Sequence, residues 1–285
     1  MSKYTQIQNN HTEVIEIINQ AAQAKVTSLD LSSKALTEIP DCITKISKLQ
    51  RLNLSDNQLT EIPDCIIQLT HLWDINLGNN QIKIMQKHGE KLAKIRMICL
   101  AKNKIEQIPE FLSKIKWLRI LDLSDNQIQE IPEYITRLTK LQGLFLHNNQ
   151  IKNIKIVKDI DNFKEMTSLH LDNNQIKEIP ASITHLPNLR LLGLNNNQIR
   201  EIPESITQMI NLMTLKLSNN QIRQVPECLT QLTNLRFLDL SNNQIRNIPE
   251  SLTKLTKLTR LDLLGNPIGD ILYLSGHLFR KNSPI

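Results

Sequence analysis

A leucine pattern, L-x-x-L-x-L-x-x-N-x-L, recurs along most of this chain and limits it to a repetitive fold. One copy consists of Leu49, Leu52, Leu54, Asn57 and Leu59. The asparagine advances by 23 residues per copy as far as Asn149, by 25 to Asn174, and by 23 again to Asn266. With a first copy that has Lys34 in place of asparagine, eleven repeats span about residues 26–268. A fixed period of this length indicates a stack of equivalent units that share one core.

Each half of a repeat predicts its own backbone path. Residues 49–54 alternate between apolar and polar side chains, as a short strand does, and successive strands should pair in parallel. In most second halves a proline follows an isoleucine, as Pro203 follows Ile202, which favours a 3₁₀-like or extended return over a long helix. The asparagine amide should satisfy backbone groups in its own turn and in the next repeat. The predicted fold is an α/β solenoid, a right-handed curved horseshoe with a concave parallel sheet.

The two ends of the stack need covering, and the sequence predicts helical caps for both. Residues 1–25 would form the first cap, with one apolar helical face over residues 11–24. That face consists of Val14, Ile15, Ile18, Ala21 and Ala22. The eleven repeats would then occupy 26–268, and residues 269–285 would form the second cap. Membrane docking by either end is the alternative, but edge covering explains both segments.

Composition narrows the expected environment. The chain has no run of 18 apolar residues, so no membrane span is predicted. Its first residues lack the apolar core and cleavage site of a secretory signal peptide. All four cysteines fall inside repeats, with none near a terminus. We therefore expect an intracellular, reducing compartment. A monomer is the expected state, although none of these features determines it.

These repeats resemble the leucine-rich repeat superfamily. The 23-residue unit with its isoleucine–proline return is most similar to the intracellular class found in Ras-pathway scaffolds, plant Ras-group proteins and some bacterial effectors. It departs from the 20-residue repeat of effectors that carry a ubiquitin ligase domain, which also need a separate catalytic domain. The resemblance implies a binding scaffold with no active site and no cofactor.

Near-identical segments at 196–207 and 242–253, two repeats apart, indicate recent duplication, and the chain is rich in Ile, Lys, Asn and Gln. In both features the chain is similar to host-directed effectors of intracellular bacteria. On that resemblance the partner would be a host protein, and the chain would be translocated into the host cytoplasm.

The strand positions that face the concave side differ among repeats, and they supply the candidate partner-binding residues. Early repeats carry polar side chains there, whereas the middle repeats carry apolar ones that we expect to form one exposed band. The band would consist of Met97, Cys99, Ala101, Ile120, Phe145 and Leu191, with Phe237 as an isolated later member. Its charged border would include Asp74, Asp122, His147, His170 and Asp172, with Lys102, Lys216 and Asp239 beyond them. The alternative is that strand propensity alone selected the apolar residues. Trp73 and Trp117 at the strand edge could extend the surface.

Two other surfaces give alternative functions. A basic stripe, with a net charge of +6 for the chain, could bind an acidic surface; it consists of Lys152, Lys177, Arg200, Arg223 and Arg246. Glu178 and Glu201 partly neutralise it, and aromatic residues make up only 4% of the chain, so nucleic acid is not the expected partner. The irregular returns at 83–94 and 152–164 could instead recruit a host ubiquitin-ligase or phosphatase complex.

Catalysis and metal binding are not expected. His147 and Asp172 share one repeat position, with His170 nearby, but no nucleophile accompanies them on matched geometry. Cys99 lies two to three strands away from His147, too far for a thiolate–imidazole pair. No recognisable spacing of metal ligands is present. At most, the histidine and carboxylate would tune partner binding with pH.

Overall fold

The computed structural model describes residues 3–83, 92, 94–154 and 160–268. The chain divides into two compact units. The first comprises Met1–Ile128 with Arg137–Leu141, and the second comprises Gln129–Thr136 with Gln142–Ile285. Each unit is a stack of short parallel strands, one strand for each repeat.

The first unit contains five strands of three residues that pair in parallel. They are β1 (Ser28–Asp30), β2 (Arg51–Asn53), β3 (Asp74–Asn76), β4 (Met97–Cys99) and β5 (Ile120–Asp122). Their register follows the repeat, so that Leu29 lies opposite Leu52. The central side chain of each strand is buried and its two neighbours face outward.

The second unit contains a six-stranded parallel sheet and a separate two-stranded pair. The sheet consists of β7 (Gly143–Phe145), β9 (Ser168–His170), β10 (Leu191–Gly193), β11 (Thr214–Lys216), β12 (Phe237–Asp239) and β13 (Arg260–Asp262). β6 (Glu130–Ile131) pairs in parallel with β8 (Asn153–Ile154). The longer spacing between Asn149 and Asn174 is absorbed without a shift in the sheet, since Phe145 lies opposite His170.

The return segments are single turns, as the prolines predicted. Each 3₁₀ segment spans three or five residues: Asp41–Lys45, Asp64–Gln68, Glu110–Lys114, Glu133–Arg137, Ile160–Asn162, Glu204–Gln208, Glu227–Gln231 and Glu250–Lys254. One return is a four-residue α-helix, α2 (Ala181–Thr184). A proline in extended conformation precedes most of them; Pro40, for example, has φ −60° and ψ 135°. Because proline fixes φ near this value, it sets the entry angle of the turn.

Helix α1 (Lys3–Gln23) lies at the start of the first unit and is longer than the helix expected over 11–24. It buries Val14, Ile18 and Ala21, and packs on the first return, Asp41–Lys45. No helix within the described ranges is long and apolar enough to cross a bilayer. The expected second cap, 269–285, lies outside the described residues.

A ladder of buried asparagines joins successive repeats. Asn197 Oδ1 accepts a hydrogen bond from Ile176 N at 3.0 Å, and its Nδ2 donates to Leu171 O at 3.0 Å. The same Nδ2 lies 3.1 Å from Leu194 O and Asn195 O in its own turn. Asn57 through Asn103 repeat the arrangement in the first unit. The amide therefore reaches back to the preceding repeat, and the prediction that it reaches the next one was wrong.

The position before each ladder asparagine has a left-handed backbone. Its residues include Asp56, Asn79, Lys102, Asp125, Asn148, Asn173, Asn196, Asn219 and Asn242, with φ between 52° and 58°. Asparagine and aspartate adopt this region more readily than other side chains do. The two residues of the recurring Asn-Asn pair therefore have different roles. The first adopts the left-handed conformation that turns the chain, and the side chain of the second hydrogen-bonds to the backbone of the turn.

Lys34 occupies the ladder position in the first repeat and bonds to the cap instead. Its Nζ lies 2.7 Å from Glu13 Oε1 on α1. The first repeat follows the cap helix, so its ladder position forms an ion pair with α1, whereas the asparagines of later repeats bond to the preceding repeat.

Replacing Asn197 by leucine should lower the free energy of unfolding by about 1–3 kcal/mol, because the buried Ile176 N–H would lose its acceptor, while Leu171 C=O would keep only the bond from Asn174. Urea denaturation followed by circular dichroism measures the change. Asn196→Gly, at the exposed left-handed position beside it, is the control and should change stability little. A loss no larger for Asn197→Leu than for the control would contradict this role of the ladder.

Candidate functional site

The outward side of the strands in the first unit carries two columns of candidate residues. Asp74, Met97 and Ile120 lie side by side in one column, one per repeat. Cys99 and Asp122 are neighbours in the second column, with 3.9 Å between Cys99 Sγ and Asp122 Oδ2. All five side chains are half-buried. The apolar contact area here is the adjacent pair Met97 and Ile120.

Two ionisable groups of this patch, Asp74 and Cys99, have pKa values shifted toward their neutral forms. Burial raises the pKa of the Asp74 carboxyl, and the nearby Arg51 charge opposes that shift. Burial also raises the pKa of the Cys99 thiol, and the Asp122 carboxylate adds to the effect. Because the thiolate is the nucleophilic form of cysteine, Cys99 is suited to packing and not to covalent chemistry.

An aromatic pair marks the outward face of the second unit. The rings of Phe145 and His170 stack with their centroids 4.6 Å apart and an interplanar angle of 12°. Gly143 makes room for this arrangement, because a Cβ atom there would lie 3.1 Å from a ring carbon of Phe145. A glycine inside a strand commonly marks such a close approach.

The carboxylate of Asp172 occupies the space left by a second glycine, Gly193. Asp172 Oδ1 accepts a hydrogen bond from Asn195 N of the next repeat at 3.0 Å. A Cβ atom on Gly193 would overlap the Asp172 carboxylate, so the missing side chain provides its space. Asp172 is thereby held by the backbone of the following repeat, while His147 occupies the same repeat position one strand earlier and is half-buried.

The expected single apolar band does not form in the second unit. Leu191 lies between Ser168 and Thr214 in its column. Phe145 lies in the other outward column, because residues at alternate positions of a strand form separate rows. The apolar side chains are also only half-exposed. Within the described part of the chain, the large apolar residues that are well exposed are Trp117, at 55%, and Ile210, at 60%.

Two contacts between cations and rings were not predicted. The Arg260 guanidinium lies 4.8 Å from the centroid of the Phe237 ring, and Arg51 lies 5.8 Å from the ring of Trp73. Phe237 and Arg260 are direct neighbours in the sheet register. The register could have identified this pair, and glycines within strands could have pointed to Gly143 and Gly193. The ring geometry itself has no signal in the sequence.

The predicted basic stripe lies on the return side of the second unit, and two of its arginines bond to neutral amides. Arg200 Nε lies 3.4 Å from Gln221 Oε1, and Arg223 Nε lies 3.4 Å from Gln244 Oε1. Arg200, Arg223 and Glu201 line the same groove of about 580 Å³. Of the irregular returns, residues 84–91, 93 and 155–159 lie outside the described residues. The described part of the second return contains β8 and the 3₁₀ segment Ile160–Asn162.

No metal centre is assembled in the part of the chain that the structure describes. A search of those residues finds no group of three histidine, cysteine, aspartate or glutamate side chains able to hold a metal ion. The four cysteines are free thiols.

Comparison with known families identifies the repeat. A leucine-rich repeat region matches residues 144–264, a leucine-rich repeat matches 24–82, and a two-copy leucine-rich repeat matches 116–165. No curated protein matches the chain.

Solved structures of similar fold include bacterial and plant proteins. An internalin from Listeria monocytogenes is 27% identical, with a TM-score of 0.78 over 90% of this chain and 76% of the internalin. The plant peptide hormone receptor RGFR1, solved in complex with RGF2, is 28% identical, with a TM-score of 0.67 over 80% of this chain and 38% of the receptor. A leucine-rich repeat protein of Leptospira interrogans, 24% identical with a TM-score of 0.55 over 88% of this chain and 94% of its own, shares the fold.

Gly193→Ala should lower the free energy of unfolding by about 1–3 kcal/mol, because the new methyl group displaces the Asp172 carboxylate from Asn195 N–H. The same substitution should be nearly neutral in an Asp172→Ala background. A double-mutant cycle of urea denaturation measures this coupling. Equal costs in the two backgrounds would contradict the proposed seating of Asp172.

Cys65 provides a chemical check on burial in the first unit. Burial raises the pKa of its thiol to about 11. The thiolate fraction at pH 8 is therefore lower in the folded chain, and native Cys65 should react with iodoacetamide at least about a hundredfold more slowly than in guanidinium. Peptide mass spectrometry gives the rate at this site. Similar rates in the two states would show that the thiol is open to solvent.

Proposed function

Since the chain belongs to the leucine-rich repeat proteins, we propose that it is a non-enzymatic scaffold that binds a protein partner on the outward side of its strands. The fold is a scaffold for protein–protein interaction, and members of the family are generally binding proteins without catalytic activity. The observation that carries the proposal is the stacked pair of Phe145 and His170 on the outward strand surface of the second unit.

The physical basis of binding is preorganisation. Phe145 is held against His170 and over Gly143, so docking a partner there orders few additional side chains. An aromatic centre bordered by Asp172 and His147 matches the anatomy of an energetic hot spot. In the first unit, Met97 and Ile120 supply the corresponding apolar contact between Asp74 and Asp122.

We further propose that the chain is a host-directed bacterial effector that acts as a monomer in the host cytoplasm on a host protein. The similarity to an internalin, at 27% identity over 90% of this chain, supports a bacterial source. The near-copies at 196–207 and 242–253 support recent expansion of the repeats. Recruitment of a host ubiquitin-ligase or phosphatase complex, and electrostatic binding through the basic stripe, are the alternatives.

Replacing Ile120 and Phe145 together by aspartate should abolish partner capture from a eukaryotic cell lysate, with affinity lowered by about a hundredfold or more. The retained proteins are identified by mass spectrometry. The matched control replaces Ser28 of the first unit and Thr214 of the second by aspartate. Both residues occupy the same strand position as Ile120. Both variants must melt at the wild-type temperature.

A protein retained by wild type and control but lost from the Ile120/Phe145 variant would identify the partner. Equal recovery by all three would contradict binding on this surface. Recovery that instead collapses as salt is raised would favour the basic stripe, since exposed charges are screened whereas apolar contacts are not.

A further inference from the structure

A groove in the first unit opens at the edge where the strands begin, away from the surface described above. Gln50, Trp73 and Arg96 each directly precede a strand, and their backbones form a ladder. Trp73 N donates to Gln50 O at 3.0 Å, and Arg96 N donates to Trp73 O at 2.8 Å. The three side chains therefore stand in one row, one per repeat.

A second row completes the groove. His71 and Lys94 lie two residues before Trp73 and Arg96, and Trp117 holds the same position in the following repeat. Together with Gln50, these residues enclose a volume of about 370 Å³. Every residue that lines the groove belongs to the first unit.

The aromatic content of this groove is unusual for the chain. Both of its tryptophans line the groove, and Trp117 is 55% exposed. Covering the face of an indole with an apolar group makes binding more favourable, and the indole N–H can still donate to a peptide carbonyl. The Arg51 guanidinium lies 5.8 Å from the ring of Trp73, so this indole already takes part in a cation–π contact.

The positive charge of the groove favours an acidic ligand. Lys94 and Arg96 are exposed, and no acidic residue is among the side chains that the structure shows lining the groove. Arg119 extends the row, since its N donates to Arg96 O at 2.8 Å. A guanidinium pairs with a carboxylate through two parallel hydrogen bonds. Neighbouring indoles and cations therefore suit a ligand that presents apolar groups beside carboxylates.

We infer that this groove is a second binding site, for an extended acidic peptide segment in which carboxylate and apolar side chains alternate. Lys94 and Arg96 lie in one repeat, with Trp73 in the repeat before and Trp117 in the repeat after. A carboxylate of the peptide therefore pairs with the cations while the apolar side chains on either side of it cover the two indoles. The Gln50 amide can pair with the peptide backbone between them. The site shares no residue with the Phe145 and Ile120 surface, so it stands whether or not that surface binds a partner.

Intrinsic fluorescence tests the site directly, because both tryptophans of the chain lie in the groove. The probe is an octapeptide of alternating glutamate and leucine, titrated into the full chain. We expect a saturable change in tryptophan emission that weakens as salt is raised. Lys94→Glu with Arg96→Glu should weaken binding by about tenfold. Arg236→Glu, exposed at the equivalent position of the second unit, should leave binding unchanged.

Isothermal titration of a Trp117→Ala variant gives a readout that does not depend on fluorescence, and its affinity for the peptide should fall severalfold. An alternating lysine–leucine peptide is the control for charge and should not bind. Absence of a saturable change with the acidic peptide, or equal affinity for the basic one, would overturn the inference. Saturation by adenosine monophosphate but not by the peptide would also overturn it, in favour of a nucleotide site.

Discussion

One buried amide per repeat determines how this chain stacks. The asparagine side chain supplies both an acceptor and a donor, so it pairs with an N–H and a C=O of the preceding repeat while closing its own turn. Because these backbone groups lie where water cannot reach them, the bonds are obligatory. The left-handed residue before each asparagine turns the chain, and the surrounding leucines bury the turn, so that the amide reaches its partners. The parallel strands follow from this spacing.

A regular scaffold leaves the outward positions free to vary, and the candidate surfaces arise from that freedom. In the second unit, two strand positions have lost their side chains, and each vacated space is filled by a larger group. Gly143 accommodates the ring of Phe145, and Gly193 accommodates the carboxylate of Asp172. Glycine weakens a strand on its own account. Here both glycine-containing strands, β7 and β10, pair with β9, so the local cost is compatible with a stable sheet.

Much of the fold was predictable because the same sequence signal occurs many times. The strands, the parallel register and the single-turn returns all follow from averaging over repeats. The direction of the asparagine bonds was not, since a periodic pattern does not distinguish the repeat before from the repeat after. The contacts of single side chains were also missed. The stacking of Phe145 on His170 depends on rotamers, which no periodicity encodes. The grouping of Trp73 with Trp117 joins residues from different repeat positions, which periodicity does not predict either.

The bonds that a ladder asparagine makes to another repeat span 21 and 26 residues, or 23 and 28 at Asn174, and so extend only to the adjacent repeat. Excision or insertion of one whole repeat would therefore leave each remaining asparagine with equivalent partners. The near-copies at 196–207 and 242–253 are sequences between which unequal recombination can occur. Such an event would change the length of the scaffold and bring different outward side chains together in a single step. Heritable variation in this protein can thus proceed by whole repeats, with folding preserved and specificity altered.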